Sequence, residues 1–173
     1  YANDDGSAVW RSDWIEVNDN SSAASGNVRV EGGKLRLDNL DGGSLESIAR
    51  SADLTGAVTA TLTFDYDGFG EGGLDAVAIE ISDDGGTSWT LLESMEVVGN
   101  VSGSKSYALE SFTALTADMQ LRFRILQGFD GTTQHVKFDN VDIAFSGTGI
   151  GGASSVSTAT ASSSITVNAV NDA

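Results

Sequence analysis

Hydrophobic and polar residues alternate with period two along several stretches of this chain, and no segment shows a helical period. Leu62, Phe64 and Tyr66 share one face of a run whose other face carries Thr61, Thr63, Asp65 and Asp67. Val77, Ile79 and Ile81 oppose Ala78, Glu80 and Ser82, and Leu121, Phe123 and Ile125 oppose Gln120, Arg122 and Arg124. Such alternation predicts half-buried strands with one wet side. Shorter runs from Val28 to Val30, Leu35 to Leu37, Ile48 to Ala52 and Val136 to Phe138 extend the set. The total is roughly eight to ten strands, the number a two-layer β fold uses. The expected fold is therefore all-β, a jelly-roll-like antiparallel β-sandwich, with residues 93–115 as the stretch where strands are hardest to count.

In the run VKFDNVDIAF the apolar positions are Val136 and Phe138, then Val141, Ile143 and Phe145. The parity slips by one at Asp139 and Asn140, as it does at a β-bulge or at a strand-end turn. A bulge would re-aim Asp139 toward an end of the sandwich. After Gly147 the composition changes to TGIGGASSVSTATASSSITVNAVNDA. Residues 1–147 are accordingly read as one sandwich domain, and 148–173 as a Gly/Ser/Thr-rich segment with an alternating seam at its end.

Composition narrows the function classes. The chain of 173 residues has no cysteine and no proline, and its 21 glycines supply turn chemistry. Without cysteine there is neither a disulfide framework nor a thiolate metal site. The 25 Asp and Glu against 9 Lys and Arg give a formal net charge of −16, which repels nucleic acid and anionic lipid. No apolar run reaches the length of a membrane span, and the N-terminus lacks the layout of a signal peptide, so the chain reads as a piece of something longer.

The stretch SDDGGTSW, Ser82 to Trp89, fits an Asp-box hairpin. Asp84 caps the turn's own amides, Gly85 and Gly86 accept positive φ, and Trp89 packs beneath, so the motif is structural. An enzyme reading finds little support, because His135 is the one histidine and no serine stands on a nucleophile elbow. Arg29, Arg36, Arg122 and Arg124 fall on polar strand faces, where pairing across strands with Asp65 and Glu80 is the expected use.

Following strand direction sends three acidic, glycine-containing loops to one end of the sandwich. They are DNLDGGSLE, DYDGFGEGGLD and QGFDGTTQH. Crowded oxygen donors with sharp turns suit calcium. The candidate ligands are Asp38, Asn39, Asp41, Asp67, Asp75, Asp130 and Asp139. Beside them, Asp67, Gly68, Phe69, Glu71, Gln127, Gly128, Phe129 and Gln134 form the candidate ligand-binding set, with Phe69 and Phe129 as exposed aromatics. Trp10 and Trp14 are assigned to the core.

The segments GNVRVEGGKLRLDN, SIARSADLTG, ATLTFDYDG, LDAVAIEISDDGGTSW, LRFRI and FDNVDI follow the order of a jelly-roll family of extracellular binding modules. With its acidic loops and its VNDA tail, the chain resembles the peptide-binding domain of giant RTX adhesins. That resemblance implies a secreted, surface-attached domain, monomeric within a long multidomain chain. It would grip the C-terminal end of peptides or proteins on a target cell with help from calcium. A calcium-dependent carbohydrate-binding module and a structural spacer of the fibre are the other two readings. None of the three is an enzyme, a nucleic-acid binder or a membrane-inserted protein.

Overall fold

The structure, a computed structural model, describes residues 9–40, 42, 43 and 45–147, apart from the side chains of residues 72–74. Asp41 and the whole of 148–173 lie outside the described residues. Among the described residues eight antiparallel strands follow one another: β1 (Ile15–Val17), β2 (Val28–Glu31), β3 (Lys34–Leu37), β4 (Ser47–Ala52), β5 (Ala57–Ser82), β6 (Thr90–Ala108), β7 (Met119–Gln127) and β8 (His135–Gly147). The single helical feature among the described residues is a 3-10 turn, Leu109–Ser111.

The architecture turns on the long β5–β6 hairpin. Along one edge β5 pairs with β6 nearly end to end. Along the other it pairs with β8 from Ala57 to Phe69, then with β7 from Ala76 to Ser82. One ribbon thus belongs to two layers, β1-β4-β7 on the second half of β5 and β2-β3-β8 on the first. The switch falls at Glu71 to Ala76, where the register with β6 breaks. Glycine is required there by close approach: a Cβ on Gly70 would lie 2.1 Å from the Val97 carbonyl oxygen, and one on Gly68 would lie 2.7 Å from that of His135. The run DGFGEGG is therefore a bend inside a strand and not the loop expected from its glycines.

Residues 93–115 resolve into most of β6 and the 3-10 turn, although β6 carries the polar run SGSKS. The parity slip in β8 is a bulge. Thr63 pairs with Asp142 and Asp65 with Asp139, so two residues of β8 oppose the single Phe64. Asn140 there has φ +50°.

The inward positions of both layers meet in an aromatic stack. Phe123 of β7 lies parallel to Phe138 of β8, with ring centroids 3.9 Å apart and 12° between planes. Phe64 of β5 meets both edge-on, at 5.3 and 5.6 Å. This arrangement matches the quadrupole preference of aromatic pairs and joins the two layers at their centre. Trp10 is in the core and Trp14 packs against it, as expected. Between them lies a buried Arg50, whose guanidinium sits 4.5 Å from the Trp10 ring and 5.6 Å from that of Trp14.

The Asp-box forms the β5–β6 turn. Asp84 accepts hydrogen bonds from the hydroxyls of Ser82 and Ser88 and from the Ser88 amide, at 2.6–2.8 Å. The Ser88 hydroxyl and amide, with the Ser82 hydroxyl, hold its carboxyl at about 2. Gly85 and Gly86 have φ +73° and +87°, and the Trp89 indole donates to the Gly86 carbonyl at 3.0 Å.

Candidate functional site

The end of the sandwich that carries the acidic loops is tightly tied. Asp75 accepts from the Phe129 amide at 2.6 Å and from the Glu71 amide at 2.8 Å. Asn39 donates its amide to the Phe129 carbonyl and its side-chain nitrogen to the Gly128 carbonyl. Gln134 closes on Gly131 in both directions. The 38–39, 71–75 and 128–134 segments therefore meet, but through internal hydrogen bonds.

Several expectations are corrected there. Phe129 is fully buried with φ +60°, so it is a core residue and not an exposed aromatic. Phe69 is partly buried within β5, opposite Asn100 and His135. Gly68 is a strand residue between Val101 and Val136, and offers no open amide nest. Asp67 lies on the outer face of β5, bonded to Lys34 at 2.5 Å. Asp139 stands opposite Asp65 and accepts from the Asn140 amide, so the bulge leaves it on the sheet and away from the loops. Asp130, Glu71 and Gln127 are exposed.

Asp38 is buried, and its Oδ2 receives Arg36 at 2.9 Å and Arg29 at 3.0 Å. These arginines pair with Asp38 and Glu31 and not with Asp65, which takes Ser104 and Asn140. Hydrogen bonding from Lys137 leads the effects that hold the Glu31 carboxyl down at about 2. Among the described residues no three His, Asp or Glu side chains converge as a metal cage. Asp38 Oδ1 and Asn39 Oδ1 are nevertheless buried without a hydrogen-bond partner among the described residues.

An open cavity lies elsewhere, on the outer face of the β1-β4-β7 layer. It has a volume of about 350 Å³ and is lined by Ile15, Val17, Ser47, Ala49, Ser51, Gly85, Gly86, Trp89, Gln120 and Arg122. Its construction follows from register. Ile15 pairs with Ala49, Ala49 with Arg122 and Arg122 with Glu80, while Val17 pairs with Ser47. Outward-pointing β4 residues are small, so they make a low floor. Ile15 and Val17, 59% and 50% exposed, form one wall. The Asp-box folds Trp89 over β7 as the other.

Trp89 is held rigidly. The Arg122 guanidinium lies 3.8 Å from its ring centroid, a cation–π contact. Glu80 receives Arg122 Nε at 2.8 Å and a two-point contact from Arg124 at 2.6 and 3.0 Å. Burial pushes the Glu80 carboxyl up, but the Arg124 hydrogen bond and the Arg122 charge outweigh it and leave it below its ordinary value. This is the cross-strand pairing expected for Glu80. The cavity itself escaped sequence reasoning; its one signal was Ser47, Ala49 and Ser51, three small residues on a single strand face.

A second depression, about 380 Å³, lies over Thr63, Asp65, Ser104, Lys105, Ser106 and Asn140 on the other layer. Its Asp65 is already spanned by Ser104 at 2.5 Å and Asn140 at 2.7 Å, and its rim carries no exposed apolar side chain.

Neither a family model nor a curated relative matches the chain. Solved structures do. TmCBM61 in complex with β-1,4-galactotriose aligns over 77% of this chain and 88% of its own, at 13% identity and a TM-score of 0.52. The xylan-binding domain of CBM 22 aligns over 79% and 89%, at 12% identity and a TM-score of 0.48. The N-terminal cellulose-binding domain of Cellulomonas fimi β-1,4-glucanase C aligns over 77% and 88%, at 14% identity and a TM-score of 0.46. The likeness to TmCBM61 establishes the jelly-roll sandwich as the shared fold. Among the described residues no helix is long and apolar enough to cross a membrane.

Proposed function

We propose that this chain is a non-catalytic, extracellular carbohydrate-binding module, and that the glycan lies in the cavity between β1 and Trp89. The observation that carries this reading is the cavity's make-up. A rigid indole and two exposed aliphatic side chains flank a floor of Ser and Ala. Sugar rings present apolar C–H faces to aromatic side chains and hydroxyls to polar ones, and this surface offers both. The jelly-roll likeness to a galactotriose-bound module supports the choice of ligand class over a peptide. At the acidic end, by contrast, Asp75, Asn39 and Gln134 are committed to backbone groups and Phe129 to the core. His135, the one histidine, has Nδ1 2.8 Å from the Thr133 carbonyl.

Ala49 gives a clean test, because its side chain points out of the sheet at the centre of the floor. Ala49→Tyr fills the cavity without touching the core. Retention on an immobilised panel of β-1,4-galactan, xylan, β-glucan and galacturonan is expected for the unaltered chain. The Tyr variant is expected to lose at least about tenfold in affinity, roughly 1.4 kcal/mol, with its melting temperature unchanged. Equal retention of the two proteins would refute this site.

Calcium enters the proposal as a structural ion beside Asp38 and Asn39. The observation favouring it is the pair of buried oxygens, Asp38 Oδ1 and Asn39 Oδ1, that receive no donor among the described residues. Asp38 and Asn39 would supply hard oxygen donors of the kind calcium takes, and both guanidiniums bound to Asp38 contact Oδ2 alone. An ion present at one hundred times its dissociation constant would stabilise the fold by about 2.7 kcal/mol. Excess chelator is therefore expected to lower the melting temperature by roughly 5–10 °C. Superimposable melting curves with and without chelator would remove the ion from the account.

A further inference from the structure

We infer that the cavity selects an acidic glycan, with Arg122 reading a uronate carboxylate. This deepens the carbohydrate reading and rests on it. Among the described residues Arg122 is the sole charged residue in the lining. In a chain of net charge −16 that is a local reversal of sign. The nearest carboxylate on the same face, Glu80, does not cancel it, because Glu80 is shared between Arg122 and Arg124. Two guanidiniums on one carboxylate leave a net charge of +1 in that cluster.

The guanidinium is also presented for recognition. Stacking on Trp89 fixes its plane, and Glu80 takes Nε and Nη2 at 2.8 and 2.7 Å. Nη1 makes no hydrogen bond among the described residues. Beside it, the Gln120 amide is likewise uncommitted, and Ser47 and Ser51 carry hydroxyls on the floor. A planar, pre-set guanidinium donating to a planar carboxylate makes a charge-assisted contact about twice as strong as a neutral one. A neutral hexose places only a hydroxymethyl group where a uronic acid places that carboxylate.

The probes are a galacturonate trimer, its C6 methyl ester and β-1,4-galactotriose, each titrated calorimetrically into the full chain. The acid is expected to bind at least tenfold more tightly than its methyl ester, which has the same linkage and shape without the charge. High salt should shrink that ratio. Arg122→Gln should abolish it, while Arg122→Lys should retain part of it. The acid-to-ester ratio in the unaltered chain needs no variant to fold. Equal binding of acid and ester, or tighter binding of galactotriose, would overturn this inference while leaving the carbohydrate site intact. Failure of all three saccharides would overturn the carbohydrate reading itself. Binding of a free tripeptide but not its amide, with no saccharide bound, would assign Arg122 to a peptide carboxylate and overturn both.

Discussion

Phe123→Ala is expected to cost about 3–5 kcal/mol of folding stability, the range for removing a large aromatic side chain from a packed core. Phe123 is fully buried and touches three other rings: it stacks on Phe138 at 3.9 Å, meets Phe64 edge-on and lies 5.9 Å from Trp14. Since Phe123 belongs to β7 and Phe138 to β8, the substitution opens the seam between the two layers. Partial collapse around the void would bring the loss toward the lower end of the range. Urea denaturation of the variant and of Val58→Ala, at a residue 69% exposed, provides the comparison. The exposed change should stay within about 0.5 kcal/mol. A loss below 1 kcal/mol for Phe123→Ala would mean that the two layers do not meet through this stack.

Asp75→Ala is expected to cost about 2–6 kcal/mol. Its carboxylate, 5% exposed, is the acceptor for two backbone donors, the amides of Phe129 and Glu71. Each stranded donor costs about 1–3 kcal/mol when it stays buried. The loss should be local as well as global, because Phe129 in its left-handed conformation is also held by Asn39 on its carbonyl side. Amide exchange at Phe129 and Glu71 is expected to accelerate before the rest of β5 and β7 is affected. Asp75→Asn keeps one acceptor oxygen and should lose roughly half as much. Unchanged protection at both amides in Asp75→Ala would contradict the assigned role.

These residues show what was legible in the sequence. Leu62, Phe64, Val77, Ile79, Leu121 and Phe123 announced their inward faces by alternation alone, because a two-sided strand forces a period of two. The Glu80–Arg122–Arg124 cluster and the bulge in β8 were also readable, each from a departure or coincidence in that period. Other features were masked by local signals that tertiary structure overrides. Glycines at 68 and 70 read as a turn, yet they are there to let neighbouring backbone approach where β5 passes from one layer to the other. The run SGSKS in β6 reads as loop, but pairing along most of β5 holds it extended.

Phe129 sits between Gly128 and Asp130, so its sequence neighbours place it on a loop. The positive φ that turns it inward depends on Asp75, 54 residues away. The cavity is assembled from four separate segments, β1, β4, the Asp-box and β7, and no local pattern links them. The acidic loops were visible individually. Their carboxylates looked available because a sequence cannot show that Asp75 would be capped by amides or Asp38 by two arginines.

The most direct test of where this protein binds is a chemical-shift map. A nitrogen-15-labelled chain would be titrated in turn with the galacturonate trimer and β-1,4-galactotriose. The expected result is progressive shifts at the Trp89 indole, at the amides of Ser47, Ala49, Ser51, Gly85, Gly86 and Gln120, and at the Arg122 side chain. Amides of residues 128–135 should stay still. Shifts confined to residues 38–43 and 128–135 would return the binding site to the acidic end of the sandwich and contradict the account.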